Sequence, residues 1–289
     1  MASQLNFRMP GVIMPRLVER PRRTVEDLER VMLDMEQAEC PVIHHFGPGV
    51  YVREVRMKAG TFAIGHHQNF EHLNVFIAGK VLMFLEDGST RILQAPMTFV
   101  GKPGRKVGLI LEDVIWQNVY PTDERDVEKL EARLITKSAT WTAAERARLA
   151  RAPQEALRLD YRAVLDEFGI SHETALEVAT NPDDLVEMPL STVQVAPSPI
   201  DGSGLFATCA FQPGDVILPA RINGKRTQAG RFTNHSFVPN ARMVRRGDDI
   251  DLVAIAPICG CRGGQLGDEI TIDYREALRL SGLEPVCQQ

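Results

Sequence analysis

The sequence lacks an excess of basic charge, a paired set of cysteines and any long uncharged apolar run, and each absence removes a class of protein. Thirty-three Lys and Arg stand against 38 Asp and Glu. They balance at 14 against 14 over residues 1–123 and at 10 against 10 over 191–289, so the net charge of −5 sits in the middle, where 9 face 14. Clustered Lys and Arg supply most of the affinity for a phosphate backbone, so nucleic acid is not an expected partner. The five cysteines, at 40, 209, 259, 261 and 287, form an odd, scattered set rather than a disulfide framework. Reduced thiols in a cytoplasmic protein are the expectation. Lys80 interrupts the longest apolar stretch, around 75–85, and the first 30 residues hold no signal-peptide core. Neither a membrane partner nor export is expected, and Asn234-His235-Ser236 is therefore not read as a glycosylation acceptor. No repeat of 20–50 residues links the β-rich regions, so they read as distinct domains.

What is present is an ordinary globular composition, 44% hydrophobic and 25% charged over 289 residues, enough for two modest domains. Residues 1–23 carry Arg8, Arg16, Arg20, Arg22 and Arg23 among Pro10, Pro15 and Pro21, and read as an extended basic arm. From Thr24 the period turns helical. Thr24 and Asp27 form a cap, Val25, Leu28, Val31, Met32 and Met35 share a face, and the helix is expected to end near Cys40-Pro41. Residues 50–122 break into short apolar segments, at 51–57, 73–78, 81–85, 98–100, 107–111 and 114–119, divided by Gly, Pro or Asp-Gly turns; this pattern indicates an antiparallel sandwich or barrel. Helical signals return at 126–137, at a Thr142/Glu145 capping box, and at 161–168 and 173–179 around Gly169. The 155–190 stretch has the outline of a helix-turn-helix, but its acidity opposes DNA, and it reads as a connecting helical layer. Short strands resume from Ser191.

In the first β region, five residues separate Gly60 from His66, one separates His66 from Gln68, three lead to His72 and six to Gly79. This spacing is similar to the first motif of the cupin superfamily, small β-barrels that hold a metal with histidines and a carboxylate. Here Gln68 occupies the second ligand position, His72 the carboxylate position, and Val107 the place of the later histidine. The resemblance implies a barrel. His66, Gln68 and His72 could hold a divalent metal, since alternation puts residues 66 and 68 on one strand face and imidazole suits borderline ions. The alternative is a degenerate cupin that packs, dimerises or holds a small ligand. His67, on the opposite face, is expected to meet solvent.

In the second β region three segments carry a pattern together. Residues 198–207 contain Gly202-Ser203-Gly204. Arg231-Phe232-Thr233-Asn234-His235-Ser236 is followed by Pro239-Asn240, and Gly267-Asp268-Glu269-Ile270-Thr271-Ile272-Asp273-Tyr274 ends the series. Their order and spacing resemble the SET family of lysine methyltransferases, over about 80 residues. Glycines at 202 and 204 let backbone approach a ligand closely, and Asn234 and His235 offer mixed donors and acceptors. The resemblance implies S-adenosyl-L-methionine as cofactor, bound by Gly202, Ser203, Gly204, Arg231, Asn234 and His235. It implies Tyr274 as the catalytic hydroxyl and a protein substrate with an accessible lysine. Asp273 and Glu269 read as structural hydrogen-bond partners. The pattern departs from the family at three places: only residues 205–230 lie between the first motif and Arg231, Phe237 stands where many members carry a cysteine, and no zinc-binding cysteine cluster follows Tyr274. Another element must therefore close the substrate channel, such as the helical segment, the barrel or a second subunit; an open groove of this kind makes a homo-oligomer the expectation. Cys259-Gly260-Cys261-Arg262-Gly263-Gly264 reads as an insertion, either a metal or redox pair or a mobile glycine-rich tip.

The expected fold is thus mainly β with a helical connecting segment: an arm and helix over 1–40, a cupin-like barrel over 41–122, a helical connector over 123–190 and a minimal SET-type β domain over 191–289. The expected function is protein lysine N-methylation. A non-catalytic assembly protein, for example of a bacterial or phage particle, is the alternative, and a metal-dependent cupin enzyme the third reading.

Overall fold

A computed structural model describes residues 24–149 and 154–286, with backbone alone at 146–149 and 154. The basic arm and Cys287 lie outside the described residues. The N-terminal part comprises α1 (Val25–Leu33), β1 (Val42–Gly47), β2 (Val50–Met57), β3 (Phe62–Ile64), β4 (His67–Gln68), β5 (His72–Phe84), β6 (Thr90–Gln94), β7 (Met97–Gly101) and β8 (Val107–Pro121). A helical stretch follows, with α2 (Val127–Leu134), the short β9 (Ile135–Thr136), α3 (Ala139–Leu149), α4 (Gln154–Glu167) and α5 (His172–Thr180). The C-terminal part holds β10 (Val193–Pro197), β11 (Ser203–Ala207), β12 (Val216–Ile222), β13 (Lys225–Arg226), α6 (Gln228–Arg231), β14 (Asn234–His235), β15 (Ala241–Arg246), β16 (Asp249–Ala254), β17 (Glu269–Ile272) and α7 (Tyr274–Leu280). The mainly β character is as expected, and helices lie in sequence between the two β-rich parts. Among the described residues no helix is long and apolar enough to cross a membrane.

Seven strands of the N-terminal part form one antiparallel sheet in the order β1-β2-β8-β5-β6, with β3 on β8 and β7 on β5. The hydrogen-bonded path is open and no closed barrel is formed among the described residues. Alternation sends Phe76, Val81, Met83, Ile110, Val114 and Trp116 to one buried cluster. A second cluster joins Tyr51 and Tyr120 of the sheet to Leu130, Leu134 and Ile135, so α2 packs on the same inner face. The outer edge of β1 is covered rather than exposed: His44 N–H donates to the Ser191 carbonyl and Val42 N–H to the Thr208 carbonyl, both at 2.9 Å.

The C-terminal part stacks two four-stranded sheets, β10-β11-β17-β14 and β13-β12-β16-β15, around a single apolar cluster that includes Leu205, Phe211, Leu252, Ile270 and Ile272. All pairings are antiparallel except β14 with β17, which run parallel through Asn234 opposite Thr271 and His235 opposite Ile272.

Several sequence expectations need correction. Helix α1 stops at Leu33, because the Gln37 amide reaches back to the Met32 and Met35 carbonyls and caps the end. The Thr24/Asp27 capping box is present. Helix α3 starts at Ala139, not at Thr142: Ser138 Oγ accepts the Trp141 N–H, and Thr142 lies inside the helix with its hydroxyl donating to Ser138 O. Segments 73–78 and 81–85 are one strand, β5, continued through register shifts around Gly79 against β8; 107–111 and 114–119 are likewise one strand. Residues 259–264 are not a free tip. Cys40 N–H donates to Cys261 O, Gly263 N–H to Ala38 O, and Cys261 is 3% exposed.

Candidate functional site

The three C-terminal motifs, dispersed over about 75 positions, share one sheet: β11 pairs with β17 and β17 with β14. Asn240, from the Pro-Asn pair, latches the crossing by donating to Glu269 O at 2.8 Å and accepting from Thr271 N–H at 2.9 Å.

Asn234 Nδ2 donates to Glu269 Oε1 at 2.8 Å and lies 3.2 and 3.3 Å from the Asp201 and Ser203 carbonyls. Glu269 also accepts from Ser198 Oγ at 2.8 and 2.9 Å. Burial raises the Glu269 carboxyl, against the lowering effect of Asn234 and Ser198. Glu269 explains Gly204: a Cβ there would lie 2.3 Å from Glu269 Oε1. The missing side chain at 204 makes room for a protein carboxylate, whereas Gly202, at φ +46°, faces open space. Ser203 contributes its carbonyl to Asn234, as above.

His235 is buried. Tyr274 N–H donates to its Nδ1 at 3.1 Å, which leaves Nε2 as the ring N–H, and this donates to Asp160 Oδ2 at 2.7 Å. The side chain of His235 therefore orients α7 and α4 and does not face open space. Tyr274 opens α7 behind Asp273, whose Oδ1 accepts from Arg275 N–H and caps the helix. The Tyr274 hydroxyl donates to Thr233 O at 3.1 Å, its ring lies 5.2 Å from His235 and edge-on to Tyr161 of α4 at 5.9 Å, and burial pushes its phenol well above the usual range. Arg231 Nη2 donates to the Asn181 carbonyl, while its Nε is buried without a partner among the described residues.

Helix α4 is held on this face by charge. Arg275 places Nη1 and Nη2 3.2 Å from the two Asp160 oxygens, and Nε 2.7 Å from Glu167. The Arg275 hydrogen bonds hold Asp160 below the usual carboxylate range, with His235 adding to them against partial burial. Asp160, Tyr161 and Arg275 were not singled out from sequence. Their only local signal is an acid at one helical turn from the inward-facing Leu157 and Val164.

The N-terminal candidates divide. His66 is packed edge-on to Trp141 at 4.9 Å, beside Gly264, and neither ring nitrogen has a partner among the described residues. Gln68 accepts from the Tyr120 hydroxyl. His72 binds Phe70 O through Nδ1 at 2.9 Å and stands 3.4 Å from Lys106 Nζ through Nε2. Gln68 and His72 thus meet at Tyr120, whereas His66 turns to Trp141. A lysine beside His72 opposes a cation, and among the described residues no group of three His, Cys, Asp or Glu is placed to hold a metal ion. These residues do not fit the expected metal. His67 is exposed, as alternation requires.

No protein-family profile matches the chain, and no curated protein matches it. Among solved structures it is similar to a cupin domain from Bordetella pertussis Tohama I, at 16% identity and TM-score 0.25, over 30% of this chain and 98% of that one. It is similar to the EutQ protein of Clostridium difficile, at 16% identity and TM-score 0.25, over 29% of this chain and 70% of that one. KdgF from Halomonas sp. matches at 20% identity and TM-score 0.24, over 28% and 78%.

Proposed function

We propose that the C-terminal part is a protein lysine N-methyltransferase that uses S-adenosyl-L-methionine, with Tyr274 at the reacting amine. One observation carries the reading: the phenol of Tyr274 is packed against the β14–β17 crossing, at the point where the Gly202 loop and Asn234 converge. The residues fit the cofactor. The face over Gly202 is open, and the Arg231 Nε, buried without a partner among the described residues, lacks the acceptor that a carboxylate provides. Such orphaned donors are uncommon in folded proteins and call for an explanation. When bound, the cofactor supplies an already activated methyl group, so the protein is left to position the amine.

The Tyr274 hydroxyl donates its hydrogen bond to the Thr233 carbonyl, which leaves its lone pairs to accept an N–H from an incoming lysine and aim the nitrogen lone pair. Burial keeps the phenol protonated. It also lowers the pKa of an entering lysine, which favours the neutral, nucleophilic amine. Helix α4 supplies through Tyr161 the wall that the short 205–230 link does not. Phe237 and Val238, 51% and 73% exposed beside Asn234-His235-Ser236, offer an apolar rim to a protein substrate. The test is labelled-methyl transfer onto a lysate from the natural source, with Tyr274→Phe as control; label in both samples or neither would refute the assignment.

A second reading, a non-catalytic assembly protein, is favoured by the internal partners of the same groups: Asn234 and Gly204 are engaged by Glu269 and the Tyr274 hydroxyl by Thr233. In that case Tyr274→Phe leaves every activity unchanged.

A further inference from the structure

On the inner face of β1 and β2 the Nε of Arg53 is buried without a hydrogen-bond partner among the described residues. His44 and Arg53 are direct cross-strand partners, and Arg53 is in turn opposite Asn118. Beneath α2 this face presents His44, Tyr51, Arg53 and Tyr120 where an apolar core would be expected. Of the six buried side-chain polar atoms that lack a partner among the described residues, His44 Nε2 and Arg53 Nε are on this face, and two more are the nitrogens of His66, whose ring packs on Trp141 where Lys137 also lies. Arg53 sits close enough to both imidazoles to add to the effect of burial in disfavouring their protonation; His44 falls to about 3 and His66 to about 4.

Glu131 of α2 meets the Arg53 charge only through a long ion pair, without a hydrogen bond. Its Oε2 accepts from Lys137 at 3.0 Å and from Gln194 at 3.4 Å, while Oε1 stays 3.9 Å from Arg53 Nε, beyond hydrogen-bond reach. Arg53 and Lys137 against Glu131 leave one positive charge in excess. A water could bridge the orphaned nitrogens, whereas an anion would also balance the positive charge that Arg53 and Lys137 leave over Glu131. The space is not sealed: the side chains of Arg53, Glu131 and Lys137 are 15%, 12% and 35% exposed, and Lys137 lies over the Trp141 ring at the outer end.

We infer that Arg53, His44 and His66 form a binding site for a small monoanionic carboxylate, entered past Lys137 and Trp141. The guanidinium fork matches a carboxylate and the imidazoles can donate to it. A dianion such as phosphate would exceed the single compensating charge and face Glu131. The site is independent of the methyltransferase reading.

The test is thermal unfolding of the full chain in sodium acetate, against sodium chloride and inorganic phosphate at matched ionic strength. Acetate is expected to give a saturable rise in the midpoint, on the order of 5 °C at 100 times the half-saturating concentration. In Arg53→Gln the half-saturating concentration rises at least about tenfold, as expected for a lost charge-assisted bond. Should that variant not fold, His66→Gln serves instead, read by saturation-transfer NMR of the acetate methyl. No saturable rise, an equal rise with chloride or phosphate, or an unchanged response in the folded variant overturns the proposal and leaves water as the occupant.

Discussion

His235 and Asp160 lie 75 positions apart and meet through a 2.7 Å hydrogen bond from the imidazole Nε2 to the carboxylate. The bond fixes more than one side chain. Because the other ring nitrogen accepts the Tyr274 amide, a single imidazole ties the connector helix α4, strand β14 and the start of α7 into one unit. Arg275 completes it by bridging Asp160 and Glu167.

Removing that carboxylate should therefore loosen α4 locally. Asp160→Ala strands a buried imidazole N–H and half of the Arg275 fork, at a cost of roughly 1–3 kcal/mol. Asp160→Asn keeps an oxygen acceptor for His235 and should cost less. Urea unfolding gives the ranking, and hydrogen exchange should show faster opening of α4 in Asp160→Ala alone. Equal stability of both variants with wild type would contradict the linkage.

Gly204 and Glu269 make a sharper case. A Cβ at 204 would stand 2.3 Å from Glu269 Oε1 and 3.0 Å from Ser198 Cβ, so Gly204→Ala must displace the carboxylate that holds Asn234. Overpacking of this kind costs about 1–3 kcal/mol. In Gly204→Ala with Glu269→Ala the clash is relieved, and the double variant should be more stable than the sum of the singles implies. Additive costs would mean that Gly204 serves something other than Glu269.

The buried imidazoles set a pH dependence. His44 and His66 are held at about 3 and about 4 by burial and then by Arg53, against an ordinary value of 6.5. The unfolded chain therefore binds their protons first. Stability is full above about 6.5 and declines as pH falls toward 4, with a slope of up to about 1.4 kcal/mol per pH unit for each ring. Glu131 extends the loss to lower pH: burial alone would raise it, yet Lys137 and Arg53 hold it at about 2, so its stabilisation disappears between its ordinary 4.5 and that value. Denaturant titrations at pH 7 and pH 5 should differ by up to roughly 4 kcal/mol. His66→Gln should remove about half of the difference; no change from wild type would place His66 in contact with solvent.

Local features of the fold were legible in the sequence, and those that depend on distant partners were not. The Thr24/Asp27 cap is a matter of three residues and is present. The start of α3 was misplaced because Ser138 engages Trp141 N–H, Glu29 and the Thr142 hydroxyl at once, and Glu29 lies 109 positions away. The break expected at Gly79 vanished because ten residues of β8 pair along β5 on both sides of it. At the candidate site the motif residues were found from their order, but not the use made of them: Gly204 answers to Glu269 and the His235 ring to Asp160. Arg53 shares a face with Tyr51 and Val55 on β2, a period-2 position where a charged residue is itself a signal.

The central claim is that the β11–β17–β14 crossing binds S-adenosyl-L-methionine beside Tyr274. Calorimetric titration of the full chain with that compound tests it most directly. The account predicts saturable one-to-one binding that weakens markedly in Arg231→Ala and persists in Tyr274→Phe. Absence of heat at millimolar ligand, with both proteins folded, would contradict it.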